Sequence, residues 1–358
     1  MKKADLKIVF VVPDMAGGGT EKVITLLANE YVRRGIGVGI LTFAGNEYAY
    51  PLDNRVETYS AAMPSKGSLA VRLQRLIRMR QYFRQNKGCL IFSFSTIGTG
   101  FVVLSTLFMK RNMLVSERTD PQTCDHKPYR NFFYRFAKCL VCQTEDGVKC
   151  FPKSLQKKAC VIGNPVSDEL AGVYNGKRKK EIVTAGRLQP VKNQRMLIEA
   201  FSIFEKRYDG YTLHFFGKGP LEKELKEYAE ELGIGRKVVF HGFSKRVDME
   251  IRESSIFVLS SNYEGISNSM VEALALGLPV IATDCPIGGC RMYIEPGVNG
   301  LLVPVGDAEA MADAMGRLAG DEELAARMSA NAARIRDEYS IGKIADLMLR
   351  AAEGAGNL

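Results

Sequence analysis

Lys7-Ile8-Val9-Phe10-Val11-Val12, then Pro13-Asp14-Met15-Ala16-Gly17-Gly18-Gly19, then a helical pattern from Thr20 to Arg34, reads as strand, glycine loop and helix. The unbroken apolar run Ile8 to Val12 suits a strand buried on both faces, as a parallel sheet covered by helices requires. Working outward, similar runs at Val38 to Phe43, Leu90 to Phe94, Met113 to Ser116 and Leu140 to Thr144 alternate with helical stretches. That alternation specifies a doubly wound α/β layer. Around Asn164-Pro165 the chain turns polar, and Asn175 to Lys180 reads as an exposed connector. The pattern then restarts, with strand-like runs at Glu181 to Ala185, Tyr211 to Phe216, Val238 to Phe243, Ile256 to Ser260, Pro279 to Thr283 and Leu301 to Val305. Helical patterns at Ala308 to Leu318, Glu322 to Asp337 and Gly342 to Ala352 close the chain. The expectation is two Rossmann-like doubly wound domains, 1–163 and 181–338, joined by a linker at 164–180, with a C-terminal helix in 339–358 that is able to cross back to the first domain. Two such domains facing each other leave an interdomain cleft, and ligands in open α/β sheets bind beyond the carboxyl ends of the strands.

Composition sets the class. At 358 residues, 46% hydrophobic and 25% charged, the chain is long enough for two domains and excludes disorder, collagen and coiled coil. Lys2, Lys3 and Lys7 precede an apolar run that Pro13 and Asp14 cut off well short of a secretory core segment. The longest other apolar stretch, Ile97 to Met109, contains Thr99, Ser105 and Thr106 and falls short of the roughly 20 residues a membrane span needs. The eight cysteines, at 89, 124, 139, 142, 150, 160, 285 and 290, are dilute and read as reduced thiols of a cytoplasmic chain. Cys139 and Cys142 form one C-x-x-C with no second pair and no histidine nearby in sequence, so they read as small hydrophobes on a buried strand and no metal site is expected.

Charge is unevenly spread. Residues 1–163 carry 25 Lys/Arg against 12 Asp/Glu, hence +13, while the remainder carries 24 against 28, hence −4. Between Glu57 and Glu117 there is no acidic residue, and Arg72, Arg75, Arg78, Arg80 and Arg84 interleave with Leu69, Leu73, Leu76, Ile77 and Phe83 as on an amphipathic basic helix. An anionic surface is the expected partner; no nucleic-acid motif accompanies the charge.

Strand ends carry the chemistry. After Ala185 come Gly186-Arg187-Leu188-Gln189-Pro190-Val191-Lys192-Asn193, two cations five apart on a loop entering a helix, which is the composition of an anion clamp. After Phe216 comes Gly217-Lys218-Gly219-Pro220, where missing Cβ atoms admit close approach of a ligand to the main chain. After Ser260 comes Glu264-Gly265-Ile266-Ser267-Asn268-Ser269-Met270-Val271-Glu272. If a helix begins near Asn268, Ser267 or Asn268 caps it, Glu264 stays on the loop, and Glu272 lies just over one turn in. Paired carboxylates accept from vicinal diols, while N–H groups between them suit phosphate. Taken singly, each motif has an ordinary structural reading; together they describe a site for a diphosphate bridging two sugars.

In that order these motifs resemble a family 4 (group 1) glycosyltransferase of the GT-B fold, over nearly the whole chain. The resemblance continues through Ala273-Leu274-Ala275-Leu276-Gly277-Leu278-Pro279-Val280-Ile281-Ala282-Thr283-Asp284 and Gly297-Val298-Asn299-Gly300-Leu301-Leu302-Val303. It implies a retaining hexosyl or N-acetylhexosaminyl transfer from a UDP-sugar co-substrate, with no cofactor or required metal. On that resemblance Arg187 and Lys192 hold the diphosphate, Glu264 the donor sugar and Glu272 the ribose. Main-chain N–H groups of Gly265, Ile266, Ser267 and Asn268 reach sugar or phosphate oxygens, Gly217 and Gly219 line the donor, and the Gly17-Gly18-Gly19 loop lies beside the pyrophosphate. His241 is near the base in this fold, although at a strand end it also reads as structural. No Asp-x-Asp occurs in the sequence, which disfavours the metal-dependent architecture for the same reaction.

The first domain then takes the acceptor, a glycan and in particular an anionic lipid-diphosphate-linked sugar of cell-surface polysaccharide or oligosaccharide assembly. The enzyme would associate peripherally with the inner face of the membrane through its five arginines. One departure stands out: in Ser116-Glu117-Arg118-Thr119-Asp120-Pro121, Thr119 occupies the position where many relatives carry a histidine. This form and Asp284-Cys285-Pro286 are similar to transferases of lipid-linked or capsular glycans. Rival readings are an epimerase or phosphorylase on the same fold and a non-catalytic nucleotide-sugar sensor. Gly35, Gly37 and Gly39 have the wrong spacing for a nicotinamide fingerprint. Arg291 either contacts a ligand or caps a turn.

Overall fold

A computed structural model describes residues 6–63 and 68–354; Lys2 and Lys3 lie outside them. The chain divides into two units, one of residues 1–165 with 341–358, the other Val166–Ser340.

In the first unit seven strands, β1 (Lys7–Val12), β2 (Gly37–Thr42), β3 (Glu57–Ser60), β4 (Leu90–Ser93), β5 (Asn112–Ser116), β6 (Cys139–Cys142) and β7 (Ala159–Val161), form one parallel sheet in the order β3-β2-β1-β4-β5-β6-β7. Its helices are α1 (Gly19–Arg33), α2 (Leu69–Gln85), α3 (Thr96–Ser105), α4 (Lys127–Tyr134), α5 (Glu145–Lys149) and α6 (Lys153–Gln156). Ile8 to Val12 are at most 1% exposed, so the apolar run is a central strand covered on both faces. The sequence pattern overlooks β3 and β7, the two edge strands, because a short, half-exposed strand needs no apolar run.

The second unit holds β8 (Lys179–Ala185), β9 (Thr212–Phe216), β10 (Val238–Gly242), β11 (Ser254–Leu259), β12 (Val280–Thr283) and β13 (Gly300–Val303), parallel and ordered β10-β9-β8-β11-β12-β13. It also holds α7 (Gln194–Glu205), α8 (Glu222–Glu231), α9 (Val247–Ile251), α10 (Asn268–Ala275), α11 (Ala308–Gly320), α12 (Glu322–Ala332) and α13 (Ile335–Glu338). The helical pattern expected to run unbroken from Glu322 to Asp337 is split between α12 and α13. Part of the expected linker packs with this unit: Val166 and Ala171 are buried in its core. Arg178 donates to the carbonyls of Arg252, Ser254 and Gly277 at 2.7 to 3.0 Å.

The last helix, α14 (Ile341–Glu353), belongs to the first unit, where it packs on α1, β5 and β6. Tyr31 Oη donates to the Ala345 carbonyl at 2.9 Å, and Arg34 binds Asp346 and the Gly342 carbonyl. Residues 166 and 340 bridge as neighbours, so the chain enters and leaves the second unit side by side.

Candidate functional site

The second sheet reverses its strand order between β8 and β11, the point at which a parallel sheet opens a crevice at its carboxyl edge. From β8 the chain runs through Gly186-Arg187-Leu188 into a 3-10 turn, Pro190–Lys192; from β11 it runs through Ser260 to Ser267 into α10. Hydrogen bonds staple these loops together. Asn262 N donates to the Val191 carbonyl, Ser260 Oγ to the Lys192 carbonyl, both at 2.8 Å, and Asn193 Nδ2 to Asn262 Oδ1 at 2.9 Å. Asn193 takes the left-handed conformation, φ 46°, that ends the turn, and its Oδ1 accepts from Met196 N to cap α7.

This stapling brings together two residues that lie 72 apart in sequence. Lys192 Nζ pairs with Glu264 Oε2, each side chain 20% exposed, and Ser261 Oγ donates to the same carboxylate oxygen at 3.3 Å. Arg187 is exposed on the loop that leads to Lys192, its backbone fixed by the buried Gln194, whose Nε2 donates to the Arg187 carbonyl at 2.9 Å. Partial burial makes the charges of this pair interact more strongly than surface ions do, while leaving an arriving anion room to compete for the ammonium.

Glycines hold the loops at this spacing. A Cβ on Gly217, whose φ is +144°, would lie 1.9 Å from the Gly186 carbonyl oxygen, and one on Gly219 2.1 Å from the Leu188 carbonyl oxygen. These two glycines therefore have a structural reason of their own, since the main chain of residues 186–188 fills the space a side chain would need. A third contact went unseen in the sequence. The loop after β12 packs on Gly265-Ile266 so closely that a Cβ on Gly289 would stand 1.5 Å from the Gly265 carbonyl oxygen. In the same loop Arg291 Nε pairs with Asp284 Oδ1 at 2.8 Å, which favours the turn-capping alternative. Cys285 and Cys290 are buried there as a thiol pair; hydrogen bonding to Cys290 holds the Cys285 thiol below its usual range, and Cys290 is pushed up in turn.

Helix α10 begins at Asn268 with Ser267 at the N-cap position, yet Ser267 makes no side-chain cap bond; its hydroxyl meets Ser269 Oγ at 3.1 Å. Ser269 Oγ donates to the Ala185 carbonyl at 2.7 Å, tying the first turn of α10 to the end of β8. Ile266 and Ser267 are buried, whereas Gly265, Asn268 and Glu272 are partly exposed, with Glu272 just beyond the first turn. At the end of β10, His241 is exposed and lies flat on Phe216, centroids 4.3 Å apart and planes within 3°. Its Nε2 meets His214 Nδ1 at 2.8 Å, and His214 Nε2 meets Thr212 Oγ1 at 2.7 Å.

In the first sheet the order reverses between β1 and β4, and the glycine loop follows β1. Gly17 has φ +121°; Gly18 is extended, caps α1 without a side chain, and a Cβ there would meet only the flexible end of Glu21. Gly19 opens α1. After β5, Thr119 Oγ1 and Tyr134 Oη donate to the two oxygens of Glu117, both at 3.0 Å. Burial pushes the Glu117 carboxyl up. This network escaped the sequence, where Glu117 and Tyr134 read as unrelated.

The basic helix differs from its expectation. Arg72, Arg78 and Arg84 are exposed, but Arg75 lies over the Phe101 ring at 5.3 Å and Arg80 donates to the carbonyls of Ser105 and Leu107 at 3.1 Å. Helix α2 buries Val71, Met79, Tyr82 and Phe83, while Leu69, Leu73 and Ile77 face out. The physical reason is register: the buried stripe needs only one side of the helix, and the sequence carries two apolar stripes.

Among the described residues no group of three or more His, Cys, Asp or Glu side chains is arranged to hold a metal ion. Cys139 and Cys142 lie buried on β6.

Residues 169–335 match the family described as Glycosyl transferases group 1. An uncharacterized glycosyltransferase of Methanocaldococcus jannaschii is 31% identical over 182 residues, 47% of this chain and 45% of that protein. A Campylobacter jejuni protein named as an α-1,4-N-acetyl-D-galactosaminyltransferase acting on an undecaprenol-diphosphate-linked glycan is 24% identical over 96% of this chain and 98% of its own length. The crystal structure of HepE from Anabaena in complex with UDP superimposes with a TM-score of 0.83 at 21% identity, covering 97% of this chain and all of that one. That likeness shows the fold, two Rossmann-like domains of the GT-B type.

Proposed function

From the match of residues 169–335 to the group 1 glycosyl transferases, we propose that the chain moves a hexose or N-acetylhexosamine from a UDP-sugar to a growing glycan, with retention of configuration and without a required metal. The observation that carries this reading is the Lys192–Glu264 pair, held at the switch point of the second sheet beside the start of α10. As the glycosidic bond to phosphate breaks, positive charge grows on the sugar ring and negative charge on the departing diphosphate. Lys192, held beforehand by Glu264, and Arg187 on the same loop meet that negative charge as it develops, so they stabilise the transition state more than the ground state. The diphosphate takes over Lys192, and Glu264, released from the ion pair, accepts from hydroxyls of the donor sugar. Glu272 accepts from the ribose diol, and main-chain N–H groups of residues 265–268 bind oxygens of sugar or phosphate. The His241 ring is the reading for the base, and Gly17, Gly18 and Gly19 for the pyrophosphate, since nothing in the protein itself requires Gly18 to lack a side chain. The acceptor belongs to the first unit. A lipid-diphosphate-linked glycan fits its net positive charge, and with it goes peripheral attachment to an anionic membrane.

Hydrolysis of a panel of UDP-sugars, together with their protection of the protein against melting, tests the donor: one or more should raise the melting temperature, because a ligand that binds only the folded state stabilises it. Lys192→Ala and Arg187→Ala should each lower kcat at least about tenfold, about 1.4 kcal/mol of barrier. Near-normal turnover by both variants removes the clamp from the mechanism.

A further inference from the structure

The first unit presents an unusual surface. Helices α2, α3 and α4 pack side by side as a layer on its sheet, and the outer face of that layer is both apolar and basic. Phe108, 101% exposed, projects from the turn after α3 with φ +64°, a conformation that costs a bulky residue of the order of 1 kcal/mol. Phe132 and Phe136, 54% and 45% exposed, stack edge to face at 5.6 Å at the end of α4, and Leu73 and Ile77 are further exposed apolar side chains on α2. A soluble surface rarely carries so many large apolar side chains together.

The charges around them all have one sign. The three connections entering the adjacent strands β4, β5 and β6 are residues 86–89, 106–111 and 135–138. They contain Lys87, Lys110, Arg111, Arg135 and Lys138 and no acidic residue, and the guanidinium of Arg111 covers the Phe136 ring at 5.6 Å. One fully exposed and two half-exposed aromatic residues beside these cations match the boundary of an anionic bilayer, where rings enter the headgroup layer and cations meet phosphate. Among the described residues no helix is long and apolar enough to cross a membrane, so attachment of this kind lies on the surface.

We propose that the first unit docks on anionic membrane by inserting Phe108, with Phe132 and Phe136 beside it, rather than by electrostatic adsorption through the arginines of α2 alone. This deepens the membrane part of the proposed function and does not involve the donor site. The occupant is a lipid bilayer, because a second copy of the chain would set these unpaired cations against their own kind.

Cosedimentation of the full chain with vesicles of phosphatidylglycerol and phosphatidylethanolamine tests it. The protein should bind at low salt and remain largely bound at 1 M salt, where attraction between exposed charges is screened. Phe108→Asn, which suits the left-handed backbone, combined with Phe136→Ser should lower the high-salt partition about tenfold or more. Lys87→Glu with Lys138→Glu should weaken mainly the low-salt binding. Binding that salt releases completely and that the phenylalanine variants leave unchanged overturns insertion while leaving adsorption in place. Absence of binding under every condition overturns both, with the donor reading untouched. A dimer in free solution that Phe108→Asn disperses, without vesicle binding, identifies a second copy as the occupant and overturns the proposal. Melting curves and UDP protection matching the parent protein establish that the variants fold.

Discussion

Glycines follow strand ends in both units, and the two sets use glycine for opposite reasons. In the second unit, Gly217, Gly219 and Gly289 have backbone where a Cβ would be, 1.5 to 2.1 Å from carbonyl oxygens of neighbouring loops. In the first unit, Gly18 is extended, a conformation any residue adopts, and a Cβ there meets only a movable Glu21 oxygen. The first kind is a structural requirement that looks like a ligand motif. The second has no structural requirement, which makes it the better candidate for close approach by a substrate.

The sharpest way to break this distinction is Gly217→Ala. Its Cβ would collide with the Gly186 carbonyl and its φ of +144° disfavours any side chain, so the second unit should lose about 3 kcal/mol or more, read by denaturant unfolding, and donor protection should vanish with it. Stability close to that of the parent protein would show that the 186–188 and 217–219 loops separate easily. Gly18→Ala should do the reverse. Folding stability should change by no more than about 0.5 kcal/mol, while kcat/KM for the UDP-sugar should drop roughly tenfold; an unchanged kcat/KM would assign the loop no substrate contact.

Between these extremes lies the staple. Ser260→Ala removes the hydroxyl that holds the Lys192 carbonyl at 2.8 Å, and should cost about 1 kcal/mol of stability. Its effect on kcat should be smaller than that of Lys192→Ala, since three neighbouring hydrogen bonds still fix the turn. An effect as large as Lys192→Ala would make the turn, not the ammonium, the controlling element.

The smallest effect concerns the imidazole pair. Burial, opposed by Glu181 and reinforced by His241 and Lys179, holds His214 below the ordinary imidazole range. The unfolded chain therefore takes up a proton first as pH falls. The stabilising contribution is whole above about pH 6.5, is lost as pH descends from there through the folded value, and is constant below it. His214→Gln should flatten that part of the stability curve measured by thermal melting; an unchanged slope assigns the pH dependence to other groups. The effect is modest because the ring is only half buried.

The two halves of the chain also differ in how legible they are. In the second unit the strand runs, the loop Gly186 to Asn193 and the Glu264 to Glu272 element name their own neighbourhood, because chemistry-bearing residues sit next to strands whose ends must meet. Even there, the packing of Gly217 and Gly219 against residues 186–188 is invisible in sequence, since a missing side chain looks the same whether a ligand or a loop fills the space. In the first unit, Arg75 and Arg80 read as surface cations until Phe101 and two carbonyls claim them, and Leu73, Ile77 and Phe83 read alike as apolar positions of an amphipathic helix although only Phe83 is buried. A helix with two apolar stripes does not announce which one the sheet will cover.

What the sequence determined by itself is the alternation of buried parallel strands with helices, twice over, and with it the positions of the loops at carboxyl ends of strands. Periodicity and β-branched runs are local properties, and they suffice for that. What only the tertiary structure decided is which atoms meet: Lys192 with Glu264 across 72 residues, Gly289 against Gly265, and Glu117 with Thr119 and Tyr134. Those contacts depend on strand order and on loop approach at the scale of one ångström, and neither is encoded in any stretch of chain shorter than the fold.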